Sequence, residues 1–195
     1  IKDTLLLSSG SHGKYLGRID LKVKNGKVVD TSSNLIPVFS DIIPPDPDMT
    51  KLINKIRAPY QSECNRVIGE TETLLYRRGN FNGSWDDVIC DTIIRERDTE
   101  ISLSPGFRWG TTLLPGQKIT IDDIYSQTSM NYPEVYRIEM TGKMIKEILE
   151  DVCDNIFNPD PFFQQGGDMV RVGGLTYTCR PKNKMGNRIS NLRII

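Results

Sequence analysis

The chain has 195 residues, and its twenty-five basic and twenty-five acidic side chains cancel around a sequence pI near 6.8. That length carries one sizeable core, or one domain of about 130 residues with an appendage. The cancelled charge leaves no overall field to draw the chain to nucleic acid or to a membrane surface, and no apolar run approaches the roughly 20 residues of a spanning helix. Any anion site must therefore be local. The opening Ile1-Lys2-Asp3-Thr4 lacks a signal-peptide pattern, and a start on Ile is what a fragment is expected to show.

Residues 4–8 and 15–23 read as strands, the second alternating along Leu16, Arg18, Asp20 and Lys22 on one face. The loop between them holds His12, the only histidine, and one histidine cannot build a histidine-rich metal site. Asn25-Gly26 is a hairpin signal with Lys27-Val28-Val29-Asp30 as the return strand. Residues 1–40 have too few apolar groups to bury this sheet alone and are expected to be the closing strands of a preceding domain. A proline-rich linker and interdomain helix then take up residues 41–68. Either Asp46 or Asp48 caps that helix, apolar positions from Leu52 to Val67 recur at helical spacing, and Pro59 is a kink point. The third domain is expected over residues 69–195.

Thr71 to Tyr76 reads as a strand, leading into a polar loop from Arg77 to Ser84, whose Ser84 is placed to cap a helix over 85–97. Arg77 and Arg78, set before a helix N-terminus, are either an anion cradle or a solvated loop. A short strand then runs from Glu100 to Leu103 and breaks at Pro105-Gly106, after which come Arg108 and Trp109. Arg108 is either a guanidinium held at a sheet edge facing an anion-binding cleft or a solvated loop arginine.

Further along, a strand over 117–121, a short helix from Asp122, a turn at Asn131 and Tyr132, and a strand over 134–140 are expected. Thr141-Gly142 caps a helix over 143–155 with Ile145, Ile148, Leu149, Val152 and Ile156 on one face. An aromatic, glycine- and proline-rich loop over 157–167 precedes a strand over 169–179 interrupted at Gly173-Gly174, and a last strand covers 188–195. Cys90 and Cys153 fall on apolar helix faces and are expected to be free and buried. Four cysteines also leave one or two disulfides open, with no pairing legible. With no Rossmann or P-loop signature, the class is α+β.

Three motifs carry a family resemblance. Ser104-Pro105-Gly106-Phe107-Arg108, Met140-Thr141-Gly142 before a long helix, and Gly167 to Gly174 together resemble the C-terminal domain of 5′-nucleotidases. Residues 10–23 look like the end of that family's metallophosphoesterase domain. The longer strings Leu75 to Gly83, Leu103 to Leu114, Phe157 to Pro161 and Gln164 to Gly174 are most similar to the SoxB-type thiosulfohydrolases. Nucleotidases of the family clamp a base between two phenylalanines, whereas the matching segments here offer Asn131 or Tyr132 and Met169.

The resemblance implies a mixed sheet with helices and a periplasmic hydrolase. Two manganese ions would be held by an N-terminal metallophosphoesterase domain of the same chain, with no metal site and no catalytic residue in these 195 residues, which alone would be inactive. The substrate implied is a cysteine S-sulfonate or S-thiosulfonate on the swinging arm of the sulfur-carrier protein SoxYZ, with sulfate as product. Arg108 is the first candidate to bind its oxygens, then Arg78 and Arg77, then Arg171, with Asn80 beside them. Gln164, Gln165, Asn131 and Tyr132 are candidates for lining the carrier channel. The competing readings are a 5′-nucleotidase or cyclic phosphodiesterase domain, and a carrier-binding module without substrate contacts.

Overall fold

A computed structural model describes all residues except 1–4, 11–12, 78, 109 and 129–133. The chain divides into two units, residues 1–59 and 60–195. In the first, β1 (Tyr15–Lys24) and β2 (Lys27–Pro37) form an antiparallel hairpin from Tyr15 opposite Pro37 to Lys24 opposite Lys27, with a bulge between Lys22 and Val23. Its turn residues Asn25 and Gly26 both have positive φ, 53° and 72°, the geometry that Asn-Gly supplies with little strain. The return strand runs seven residues past the expected Asp30 because the partner edge continues to Tyr15. Residues 5–8 lie outside any strand.

Helix α1 (Pro47–Arg57) is capped by Asp46, whose Oδ1 accepts the N–H of Asp48 at 3.0 Å and of Met49 at 2.8 Å. The expected long helix to residue 68 does not continue. Pro59 has no N–H to extend the ladder, and only a short helix α2 (Gln61–Cys64) precedes β3 (Val67–Glu70).

The second unit is a mixed α+β arrangement of small antiparallel sheets. β3 pairs with β5 (Lys118–Thr120), β4 (Ser102–Ser104) with β6 (Arg171–Gly173), and β7 (Leu175–Cys179) with β8 (Ile189–Ile194). Besides α2, three longer helices belong to its described residues: α3 (Ser84–Arg97), α4 (Ile121–Thr128) and α5 (Gly142–Phe157). The predicted strand over 71–76 is reduced to a single bridge between Leu75 and Leu113, because Thr71 Oγ1 accepts the N–H of Thr73 and turns the chain before a ladder forms. Residues 134–140 also lie outside any strand; their alternating side chains are mostly exposed, and pattern without a paired edge does not make a strand.

Two apolar clusters hold this unit. Ile145, Leu149 and Cys153 on α5 meet Met169, Leu175 and Ile189 in the larger. Leu75, Trp85 and Leu113 make the smaller, against Ile119 and Ile124. Thr141 Oγ1 accepts the Met144 N–H at 3.2 Å and starts α5, as its position predicts. Ser84 does not cap α3. Gly83 holds that position, and Ser84 Oγ instead donates to Leu74 O and accepts from the Tyr76 N–H, so it fastens the strand-to-helix crossing.

Candidate functional site

Packing in the second unit brings Arg77, Arg108 and Arg171 onto one chain of charges. Asp86 lies four residues before buried Cys90 and therefore faces inward from the first turn of α3. Its Oδ1 receives Arg77 Nε at 2.7 Å, and its Oδ2 lies 3.1 Å from Arg171 Nε. Arg171 Nη2 is 3.6 Å from Asp168 Oδ2, and the same oxygen holds Arg108 Nε at 2.9 Å. Three guanidinium groups thus alternate with two carboxylates, leaving one positive charge over.

Burial separates their roles. The Arg77 and Arg171 side chains are 1% and 0% exposed, whereas that of Arg108 is 52% exposed. Arg77 spends its remaining donors on Gln127 O at 2.6 Å and Pro105 O at 3.0 Å, and its guanidinium lies over the Phe107 ring. Arg171 Nη2 donates to Gly79 O at 2.6 Å. Both arginines, expected from the sequence to reach substrate, are interior struts that fix the backbone on either side of Arg108. Burial pushes the Asp86 carboxyl up from its ordinary range, and the charges of Arg77 and Arg171 pull against that shift.

Two glycines make the approach possible. A Cβ on Gly106 would stand 2.3 Å from Met169 O and 2.9 Å from Asp168 Cβ, so only glycine lets the Arg108 loop close on the segment that carries its carboxylate. Gly110, at φ 83°, packs on the buried amide of Gln127, whose Nε2 donates to Thr111 O at 2.7 Å.

Asn80 stands on the other side of Arg108, its Oδ1 3.5 Å from Nη1, and its carbonyl accepts the Met169 N–H at 2.9 Å. Among the described residues, Asp168 Oδ1 and Arg171 Nη1 are buried without a hydrogen-bond partner. Gln164 and Gln165 are exposed on the segment leading to Asp168, and Gln164 Nε2 donates back to Asn158 O at 2.7 Å. Phe162 and Phe163 stand in solvent, whereas Phe157 stacks on Phe81 with ring centroids 6.0 Å apart. The candidates Arg78, Asn131 and Tyr132 lie outside the described residues.

The two aspartates that organise the site are absent from the sequence-based candidates. Their signal was available: Asp86 on the inward face beside Trp85 and Cys90, and Asp168 three residues before Arg171, are charges that need partners when buried. No group of three His, Cys, Asp or Glu side chains that could hold a metal ion is found among the described residues. No described helix is long and apolar enough to cross a membrane.

Residues 67–195 match the family described as 5′-nucleotidase, C-terminal domain. The chain belongs to that family. Its fold superposes on the sulfate thiohydrolase SoxB of Thermus thermophilus with a TM-score of 0.86 and 37% identity, covering 93% of this chain and 34% of that one. A 5′-nucleotidase precursor, also from Thermus thermophilus, shares the fold at TM-score 0.67 and 18% identity, over 93% of this chain and 36% of that one. The trifunctional nucleotide phosphoesterase YfkN of Bacillus subtilis is 24% identical over 98% of this chain and 13% of its own length. The SoxB-type resemblance read from the sequence is thus matched in structure, and the chain spans about a third of the solved relatives' length.

Proposed function

We propose that this chain is the oxyanion-recognising part of a SoxB-type thiosulfohydrolase. In this reading Arg108 binds the outer oxygens of a cysteine S-sulfonate, or a longer S-thiosulfonate, on the swinging arm of a SoxYZ-type carrier. Water adds at the terminal sulfur, the adjoining sulfur–sulfur bond breaks, and sulfate leaves, with the carrier left as its thiol from an S-sulfonate or as its persulfide from an S-thiosulfonate. The observation that carries the reading is the half-exposed Arg108 guanidinium, pinned through Nε to Asp168. The pairing to Asp168 fixes the position of the charge while about half of the side chain stays exposed, and a fixed, accessible guanidinium suits a sulfonate with several equivalent oxygens. The two manganese ions, a metallophosphoesterase domain to hold them and a periplasmic location belong to the same proposal.

Met169 bears on the choice of substrate. Its side chain is fully buried in the larger cluster, so the position that would supply one ring of a nucleotidase's base clamp presents nothing to a ligand. The likeness to YfkN supports the nucleotide alternative at the level of the family.

The test is hydrolysis by the full-length protein, supplied with manganese, of an S-sulfonated carrier peptide beside AMP. Sulfate release should fall about 10²–10³-fold in Arg108→Ala, the loss typical of one oxyanion donor, with AMP left intact by both proteins. Efficient phosphate release from AMP would put the nucleotidase reading in its place. Unchanged sulfate release in the variant would make the domain a carrier-binding module, with Phe162 and Phe163 as its exposed contact.

A further inference from the structure

Away from the arginine corner, two thiols face each other across the larger apolar cluster. Cys153 Sγ on α5 lies 3.5 Å from Cys179 Sγ at the end of β7, and both cysteines are free. The contact is set by the fold on both sides. Glu150, one turn before Cys153, accepts the Ile189 N–H and the Gly186 N–H, each at 2.7 Å, and Asp154 Oδ1 receives Arg188 Nη1 at 2.5 Å. Ile189 is the residue that pairs with Cys179 in the β7–β8 ladder. Helix and hairpin are therefore clamped together around the two sulfurs, and a bond between them requires 3.5 Å to close to the roughly 2.0 Å of a disulfide.

We propose that Cys153 and Cys179 are a modification site at which a low-molecular-weight disulfide cross-links α5 to β7. The two thiols have distinct parts. Cys153 is fully buried, and burial with the neighbouring thiol pushes its pKa up to about 12, so it waits as a thiol. Cys179 is partly exposed and is the entry point. Its thiolate attacks one sulfur of the small disulfide, giving a mixed disulfide and releasing one thiol. Cys153 then gives up its proton and attacks the Cys179 sulfur, displacing the second thiol. Two electrons pass from the cysteine pair to the small disulfide, which leaves as two thiols.

The consequence reaches the other corner. The cross-link closes the loop that contains Phe162, Phe163, Gln164 and Asp168, joining both of its ends to one point of the core. Closing a loop of this length should raise the melting midpoint on the order of 10 °C relative to the reduced protein, through the constraint on the unfolded chain.

The experiment treats the full-length protein with oxidised glutathione, blocks remaining thiols under denaturing conditions, and maps a non-reducing tryptic digest. Cleavage after Arg171 separates the two cysteines onto peptides 147–171 and 172–182. The expected result is one species with the mass of both peptides less two hydrogens, lost on reduction. The melting midpoint should rise with its formation, and both effects should vanish in Cys179→Ser, whose partly exposed hydroxyl leaves the folded state intact. Recovery of both peptides with blocked thiols would overturn the proposal, as would glutathione held stably on Cys179 or a cross-link that leaves melting unchanged.

Discussion

Two corners of the second unit bury similar numbers of side chains by opposite means. Around α5 the interior is mostly apolar, with Leu149, Cys153 and Met169 fully buried, and the charges buried beside it are tied down singly, Glu150 to backbone N–H groups and Arg188 to Asp154. Around the first turn of α3 the interior is itself ionic, with Arg77, Asp86 and Arg171 all but excluded from solvent. A buried ion set is a poor way to gain stability, because desolvation offsets most of the attraction. It is a good way to hold one further charge in a fixed place. Arg108 is that charge, and the difference between the corners is that one supports a fold and the other supports a side chain.

The sharpest way to break this contrast is Asp86→Asn. Removing the shared carboxylate leaves Arg77 buried without a counter-charge and Arg171 with Asp168 at 3.6 Å, and a loss of about 3–5 kcal/mol in urea unfolding is expected. In the apolar corner Leu149→Ala should cost about 2–5 kcal/mol, through lost transfer energy and an unfilled cavity. The two substitutions cost similar stability but are separable by function. Conditions that keep both variants folded should leave Leu149→Ala with normal turnover and Asp86→Asn with a raised KM, because only the second loosens the mount of Arg108. Equal turnover in both would mean that the ionic corner is structural only. A smaller effect, about 1 kcal/mol, is expected from Thr141→Ala, which removes the cap of α5 and leaves the arginine corner untouched.

The same contrast explains what was legible in the sequence. Helical spacing of Ile145, Leu149 and Cys153 and the Thr141 cap defined α5 within two residues at each end, because apolar periodicity is written locally. Asn25-Gly26 likewise specified its hairpin. Arg108 was legible through the Pro-Gly break before it, yet the carboxylates that hold it were not, since Asp86 and Asp168 are 82 positions apart and meet only through β6 and Arg171. Arg77 and Arg171 read as candidate ligands for the same reason: an arginine in a polar loop or on a strand looks available until its carboxylate is found. Residues 134–140 alternate like a strand and still make no ladder, since pairing depends on an edge that the segment itself does not encode.

The finest test concerns the single ion pair at the edge of the apolar corner. Hydrogen bonds from Arg188 and Asn158 hold the Asp154 carboxyl below its usual range. A carboxylate whose folded pKa is depressed contributes stability that is present above its unfolded pKa and is lost as pH falls through the folded value. The pair should therefore be at full strength above about pH 5 and should fade below the ordinary aspartate value of about 3.9. Measured as melting midpoint against pH, Asp154→Asn should lie a few degrees below the natural protein near neutrality, and the two curves should converge in acid. Curves that stay parallel to the lowest pH would show that Arg188 is held by the carbonyls of Pro181, Asn183 and Phe157 rather than by Asp154.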